Sequence, residues 1–185
     1  YEKIEVFILD ISYYGMTAAD NEGLYIIVNN EYGLLREHLD NEGKEAGAMK
    51  VTAVHELFHV VQAEYDHCPD TSDENMWWEE NTAVWIEDEL HDRVDDYLGY
   101  LGWPYIDKND NIDNNDNGQR DGGEAYFDIK GIISYWSRKP KWFDYPHLSL
   151  DSVGSNNDYY AFEFGGVVWA KFLSENFGRA MIKTI

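Results

Sequence analysis

The sequence predicts an α+β domain, a small N-terminal β-sheet followed by helices, and three observations point to it. Residues 4–11 (Ile-Glu-Val-Phe-Ile-Leu-Asp-Ile) and 24–28 (Leu-Tyr-Ile-Ile-Val) are β-branched and aromatic runs separated by a polar, Gly-containing stretch, and read as two strands. From about residue 45 to 65, apolar residues recur at helical spacing, with Pro69 just beyond. After a polar turn at residues 69–73, a second helical, Trp-rich pattern runs from about residue 75 to 91. Strands grouped before helices are the pattern of α+β architecture.

The elements follow in order. In the first helix, Met49, Ala53, Leu57 and Val60 or Val61 mark the apolar stripe of a long, largely buried segment. Ser72 or Asp73 suits the N-cap of the second helix, because a short side-chain oxygen there accepts a free backbone N–H. Residues 107–124 are too rich in Asp, Asn and Gly to pack a core and read as a loop. Residues 125–136 suit strand or helix, residues 140–146 a loop, and residues 160–177 a helix closing at Gly178. Trp77, Trp78 and Trp85, at helical spacing, read as packing residues, and Cys68 as a small apolar filler.

Composition narrows the function classes. At 185 residues the chain fits one domain, residues 1–66 carrying the sheet and first helix and 67–185 the remainder. Its 36 acidic and 14 basic residues give a formal charge of −22, which repels nucleic acid and anionic membranes and favours cations. The 7 Trp, 14 Tyr and 8 Phe supply the core-forming surface that disordered acidic chains lack. No apolar run approaches the ~20 residues of a membrane span. With Cys68 alone, neither an internal disulfide nor a Cys-based zinc site can form, so any metal must use His and carboxylate. The chain opens at Tyr1 without Met and stops while a helical pattern is still running, so a piece of a longer precursor is expected.

His55-Glu56-Leu57-Phe58-His59 is H-E-x-x-H. Residues i and i+4 project from one helix face, so both imidazoles can reach one Zn²⁺ with Glu56 beside the open coordination position. A zinc-bound water has its pKa lowered to roughly 7, and an adjacent carboxylate can take its proton as general base. A catalytic zinc normally has three protein ligands, so a third must come from elsewhere. The extension that would supply a third His has Gln62 and Tyr65 in place of its Gly and His, which excludes that class. A Glu on an antiparallel return helix, about twenty residues after His59, would complete the set; Glu79 and Glu80 both lie there.

This combination resembles the gluzincin metallopeptidases, whose third zinc ligand is a Glu on the helix after H-E-x-x-H. Trp77 to Glu87 is similar to the Trp-x-x-Glu-x-x-Ala pattern of several of their families, which implies Glu80 as ligand and Ala83 one turn on, with Glu79 its competitor. Closer still, His55 to Leu101 resembles a poorly characterised group of secreted prokaryotic metalloprotease-like proteins, with a weaker echo from Phe164-Gly165-Gly166 to Phe177-Gly178. The resemblance implies a zincin-like fold and an edge strand, assigned to residues 24–28, that pairs with extended peptide. Two features depart from it. Asn81-Thr82 replaces the Gly-Phe of zinc aminopeptidases, and Val84 stands where thermolysin-like enzymes carry an Asp that orients a ligand His. Another group, such as Glu87, must then do the orienting. An oxyanion donor is needed as well; Tyr126, His147, Tyr159 and Tyr160 are candidates, Tyr160 the first choice.

Residues 113–124 match D-x-[DN]-x-[DN]-G-x5-E throughout. Asp113, Asn115, Asn117, Asp121 and Glu124 supply side-chain oxygens, Gln119 its backbone carbonyl, and Gly118 the sharp turn. This resembles an EF-hand calcium loop inserted into another fold, since Trp103-Pro104-Tyr105 does not make a continuous entering helix. Calcium there would hold a self-repelling loop and fits a secreted, extracellular setting. The expectation is therefore zinc-dependent hydrolysis of protein or peptide substrates, with a calcium-stabilised loop. The competing expectation is a calcium-binding adhesion or recognition module with a structural or inactive zinc site.

Overall fold

The computed structural model describes residues 3–32, 44–65, 73–94, 96–101, 142, 146–152 and 162–183. Among these, strand β1 (Glu5–Leu9) pairs in parallel with β3 (Gly23–Asn29), and β2 (Gly15–Asp20) pairs antiparallel with the other side of β3. The α+β class holds, but the strand order β1-β3-β2 corrects the edge assignment. Residues 24–28 form the middle of the sheet, with Ile26 opposite Val6 on one side and Thr17 on the other.

Strand β2 falls in the stretch read as a polar connection. Its Gly, Ala and Thr are small because helix α1 (Lys44–Tyr65) lies close against it. A side chain at Gly15 would meet Thr52 Cγ2 at 2.7 Å and Glu56 Cγ at 3.1 Å, so glycine lets the strand approach. The turn back to β3 is Asn21-Glu22; Asp20 Oδ1 accepts the Glu22 N–H at 2.8 Å, and Gly23 takes φ +133°. At the far end of β3, buried Asn29 donates through Nδ2 to the carbonyls of Ile11 (2.7 Å) and Tyr13 (2.8 Å), pinning the β1–β2 connection.

Helix α1 is long, as its spacing predicts, but it buries a different face. Met49, Ala53, Leu57 and Val61 are exposed, whereas Ala48, Val51, Thr52, His55, Glu56 and Val60 are buried. The inward face is partly polar because its polar groups are partnered across the elements they meet.

Helix α2 (Asp73–His91) packs along α1 and, on its other side, against α4 (Phe162–Gly165) and α5 (Val167–Phe177). Flanked on both sides, it is buried at every position from 81 to 85 and again at Glu87 and Asp88. The apolar core lies there: Val84 and Trp85 meet Val167, Ala170, Leu173 and Ile182, with Phe58, Trp78 and Phe164 around them. Trp85 Nε1 donates to Ser174 Oγ at 3.0 Å. Lys171 pairs with Asp88 and lies 4.6 Å from the Tyr97 ring of α3 (Tyr97–Leu101).

The helical stretch expected over residues 160–177 is broken at Gly166. Any side chain on Gly165 would collide with Trp142 and any on Gly166 with the buried Asn81 amide, which explains the adjacent glycines. Helix α5 ends at Gly178, φ +88°, whose N–H reaches Ser174 O, and a 3₁₀ turn follows (Arg179–Lys183).

Candidate metal centre

The i, i+4 spacing on α1 sets His55 and His59 side by side, ring centroids 4.7 Å apart and nearly perpendicular. Helix α2 brings Glu80 across to both. Its Oε2 lies 3.1 Å from His55 Nε2, and its Oε1 lies 3.6 Å from His59 Nε2. One ligand atom from each of the three residues falls within 4.8 Å of the others, so the group could hold a metal ion. Glu79 is outside this group; its backbone carbonyl accepts a bond from Gln62.

The outward nitrogen of each imidazole is engaged. His55 donates through Nδ1 to Glu87 Oε1 at 2.6 Å, the helical position that sequence reasoning named as an orienting group. His59 donates through Nδ1 to Gln62 Oε1 at 2.7 Å. Gln62 Nε2 in turn donates to Glu79 O (2.9 Å) and Thr82 Oγ1 (2.8 Å), and Thr82 donates to Trp78 O (2.8 Å). Both rings therefore turn Nε2 towards Glu80, and the bonds at Nδ1 fix that orientation. Phe164 stacks on His55 at 6.0 Å and is itself covered by Tyr100 at 5.0 Å.

The electrostatics favour positive charge at this point. Burial alone would depress the His55 pKa, but hydrogen bonds to Glu80 and Glu87 outweigh it and raise it well above its ordinary value. Burial would likewise raise Glu80, yet its bonds to the two His hold it well below the usual carboxylate range. Two carboxylates converge on one imidazole, and the field that retains a proton there also attracts a cation.

Glu56 lies between the two His in sequence and is 6% exposed. Burial pushes its pKa up, against the opposing influence of His55, His59 and the Thr17 hydroxyl. The single Thr17 hydroxyl hydrogen is shared between Glu56 Oε2 (2.9 Å) and Glu56 O (2.8 Å).

Thr17 and Gln62 escaped sequence reasoning as functional residues. The signal for Gln62 was a polar residue one turn after His59, on the side facing α2; Thr17 carried none. His147 lies exposed in a turn and Tyr126, Tyr159 and Tyr160 lie outside the described residues, as do Asp113, Asn115, Asn117, Gln119, Asp121 and Glu124 of the acidic loop. Comparison of the chain with protein-family models, with curated proteins and with solved structures returns no match.

Proposed function

We propose that this chain is a zinc-dependent peptidase domain in which His55, His59 and Glu80 hold the metal and Glu56 is the general base. The observation that carries the reading is the convergence of His55 Nε2, His59 Nε2 and the Glu80 carboxylate beside a buried, pKa-raised Glu56. Donors about 2.0–2.1 Å from a tetrahedral zinc stand roughly 3.4 Å apart, and the Glu80 oxygens stand 3.1 and 3.6 Å from the two nitrogens. The donor set, two imidazoles that bind metal once their Nε2 protons are displaced and one carboxylate, suits zinc and leaves a coordination position open.

A bound zinc would supply an acidified water and polarise the scissile carbonyl. The chain's own residues do the rest. Glu87 and Gln62 hold the imidazole rings in place through Nδ1. Glu56 takes a proton from the attacking water at its carboxylate and passes it to the leaving amine nitrogen. Burial raises the Glu56 pKa, which makes the carboxylate a stronger proton acceptor.

Extended substrate would pair with β2, an outer strand of the sheet that also touches α1 beside Glu56, rather than with the central β3. Tyr160 as oxyanion donor and residues 113–124 as a calcium loop belong to the same proposal on sequence grounds alone.

Metal analysis with a Glu56→Gln variant tests the reading. The expected result is about one zinc per chain in both proteins, with casein cleavage abolished in the variant. No zinc in the purified protein would sink it, and zinc retained in a wild-type protein without hydrolysis would favour the structural-zinc alternative. The loop is tested separately: chelation should lower Tm, and Ca²⁺ rather than Zn²⁺ should restore the part of the loss that belongs to it.

A further inference from the structure

Thr17 stands out because nothing in the H-E-x-x-H helix requires it. It lies on another element, 39 positions from its partner. Its backbone belongs to β2, where it sits opposite Ile26, and its hydroxyl is within hydrogen-bond distance of Glu56 Oε2 and Glu56 O at once. Two positions earlier, and so on the same strand face, Gly15 has no side chain, and any added there would strike Thr52 and Glu56 Cγ. The two residues act together: Gly15 lets the strand down onto the helix at Glu56, and Thr17 then grips the carboxylate.

We infer that Thr17 is the positioning residue for Glu56, a role that rests on the peptidase reading above. A free glutamate side chain turns about its terminal torsion and presents either oxygen. With Oε2 held by Thr17, that rotation is restrained and Oε1 is left to receive the proton of the attacking water. Because the strand proposed to bind substrate is also the strand that holds the base, β2 sets the distance between scissile bond and proton acceptor. The hydroxyl hydrogen-bonds Glu56 and, among the described residues, none of His55, His59 and Glu80, so its loss should act on kcat and spare metal binding.

The test replaces Thr17 in the full chain. Thr17→Val keeps the β-branched shape and removes the donor. It should retain one zinc per chain, unchanged in competition with a chromogenic chelator. Its kcat on a fluorogenic peptide should fall about 10–100-fold, up to the roughly 100-fold cost of a misplaced catalytic group, with KM within about threefold. Thr17→Ser, which restores a hydroxyl, should recover most of that loss. Wild-type kcat in Thr17→Val would overturn the assignment, and so would loss of zinc together with activity, which would make Thr17 a scaffold residue.

A measurement that needs no catalysis separates this inference from the peptidase reading. In metal-free protein, Thr17→Val should lower Tm more when Glu56 is present than in a Glu56→Met background, because only the first pair loses a side-chain bond. Equal Tm losses in the two backgrounds would overturn the grip on the carboxylate. A wild-type protein with unequal losses but no hydrolysis would remove the peptidase reading alone.

Discussion

Glu87 is the single residue whose removal best probes how the metal group is held. It accepts from His55 Nδ1 at 2.6 Å and is buried, so Glu87→Gln keeps its size and replaces a carboxylate with an amide. The ring keeps an acceptor but loses the charge that makes Nε2 a stronger donor to metal. Zinc affinity, measured by chelator competition, should fall about 10–100-fold, with the secondary structure seen by circular dichroism intact. Unchanged affinity would show that Glu87 only fills space. Glu80→Gln should cost more than Glu79→Gln by the same measurement, since Glu80 alone of the two belongs to the His55–His59 group. The juxtaposition of His55 and His59 was legible because i and i+4 share a helix face, and the place of Glu87 because an imidazole with one nitrogen turned to a metal site needs an acceptor at the other. Thr17 was not, since a threonine in a strand has many ordinary uses and only the approach of α1 gives this one a carboxylate to hold.

Strand β2 shows why the sheet was read one strand short. Gly15-Met16-Thr17-Ala18-Ala19-Asp20 lacks the β-branched alternation that marks a strand, because its inward positions are limited by the helix rather than filled towards a core. Replacing Gly15 with Ala should therefore lower stability by about 1–3 kcal/mol, the usual range for an overpacked site, seen as a lower Tm. An unchanged Tm would mean that β2 and α1 can part at no cost. Helix α1 teaches the converse. Met49, Ala53 and Leu57, read as an apolar stripe with Val60 or Val61, are exposed and of the last pair only Val60 is inside, together with Thr52, His55 and Glu56. Polarity misleads at a site whose buried polar groups are partnered, since burial follows the partners there rather than hydropathy. The extents of α1 and α2 were readable because helical periodicity is a local property, whereas the buried face depends on neighbours absent from the local sequence.

Across the whole chain, the acidic excess and the metal group point the same way. A charge of −22 burdens the folded state with self-repulsion, and two carboxylates concentrated on His55 add to it locally. A divalent cation bound only by the folded form should stabilise it by about 2.7 kcal/mol when its free concentration is a hundred times Kd. Zinc titration should thus raise Tm in the wild-type protein and raise it far less in Glu80→Gln. An equal rise in both would place the stabilising ion elsewhere. The α+β class and the order of the main helices were accessible from composition and periodicity. The layering of sheet, α1, α2 and the C-terminal helices was not, because it is set by which faces meet.

Glu80 and Glu87 stand seven positions apart, two turns along the same side of α2, while Trp85 engages Ser174 and Asp88 engages Lys171 on α5. Helix α2 thus behaves like a key held in a lock by α5, with both carboxylates cut on a single edge. A slip of one residue would turn the key by about 100° and withdraw both carboxylates from the two imidazoles together. A lesion in the α2–α5 interface should therefore weaken metal capture through both carboxylates at once, whereas a substitution at Glu80 or Glu87 weakens it through one, and a chelator competition on Ser174→Val beside Glu87→Gln would read the difference.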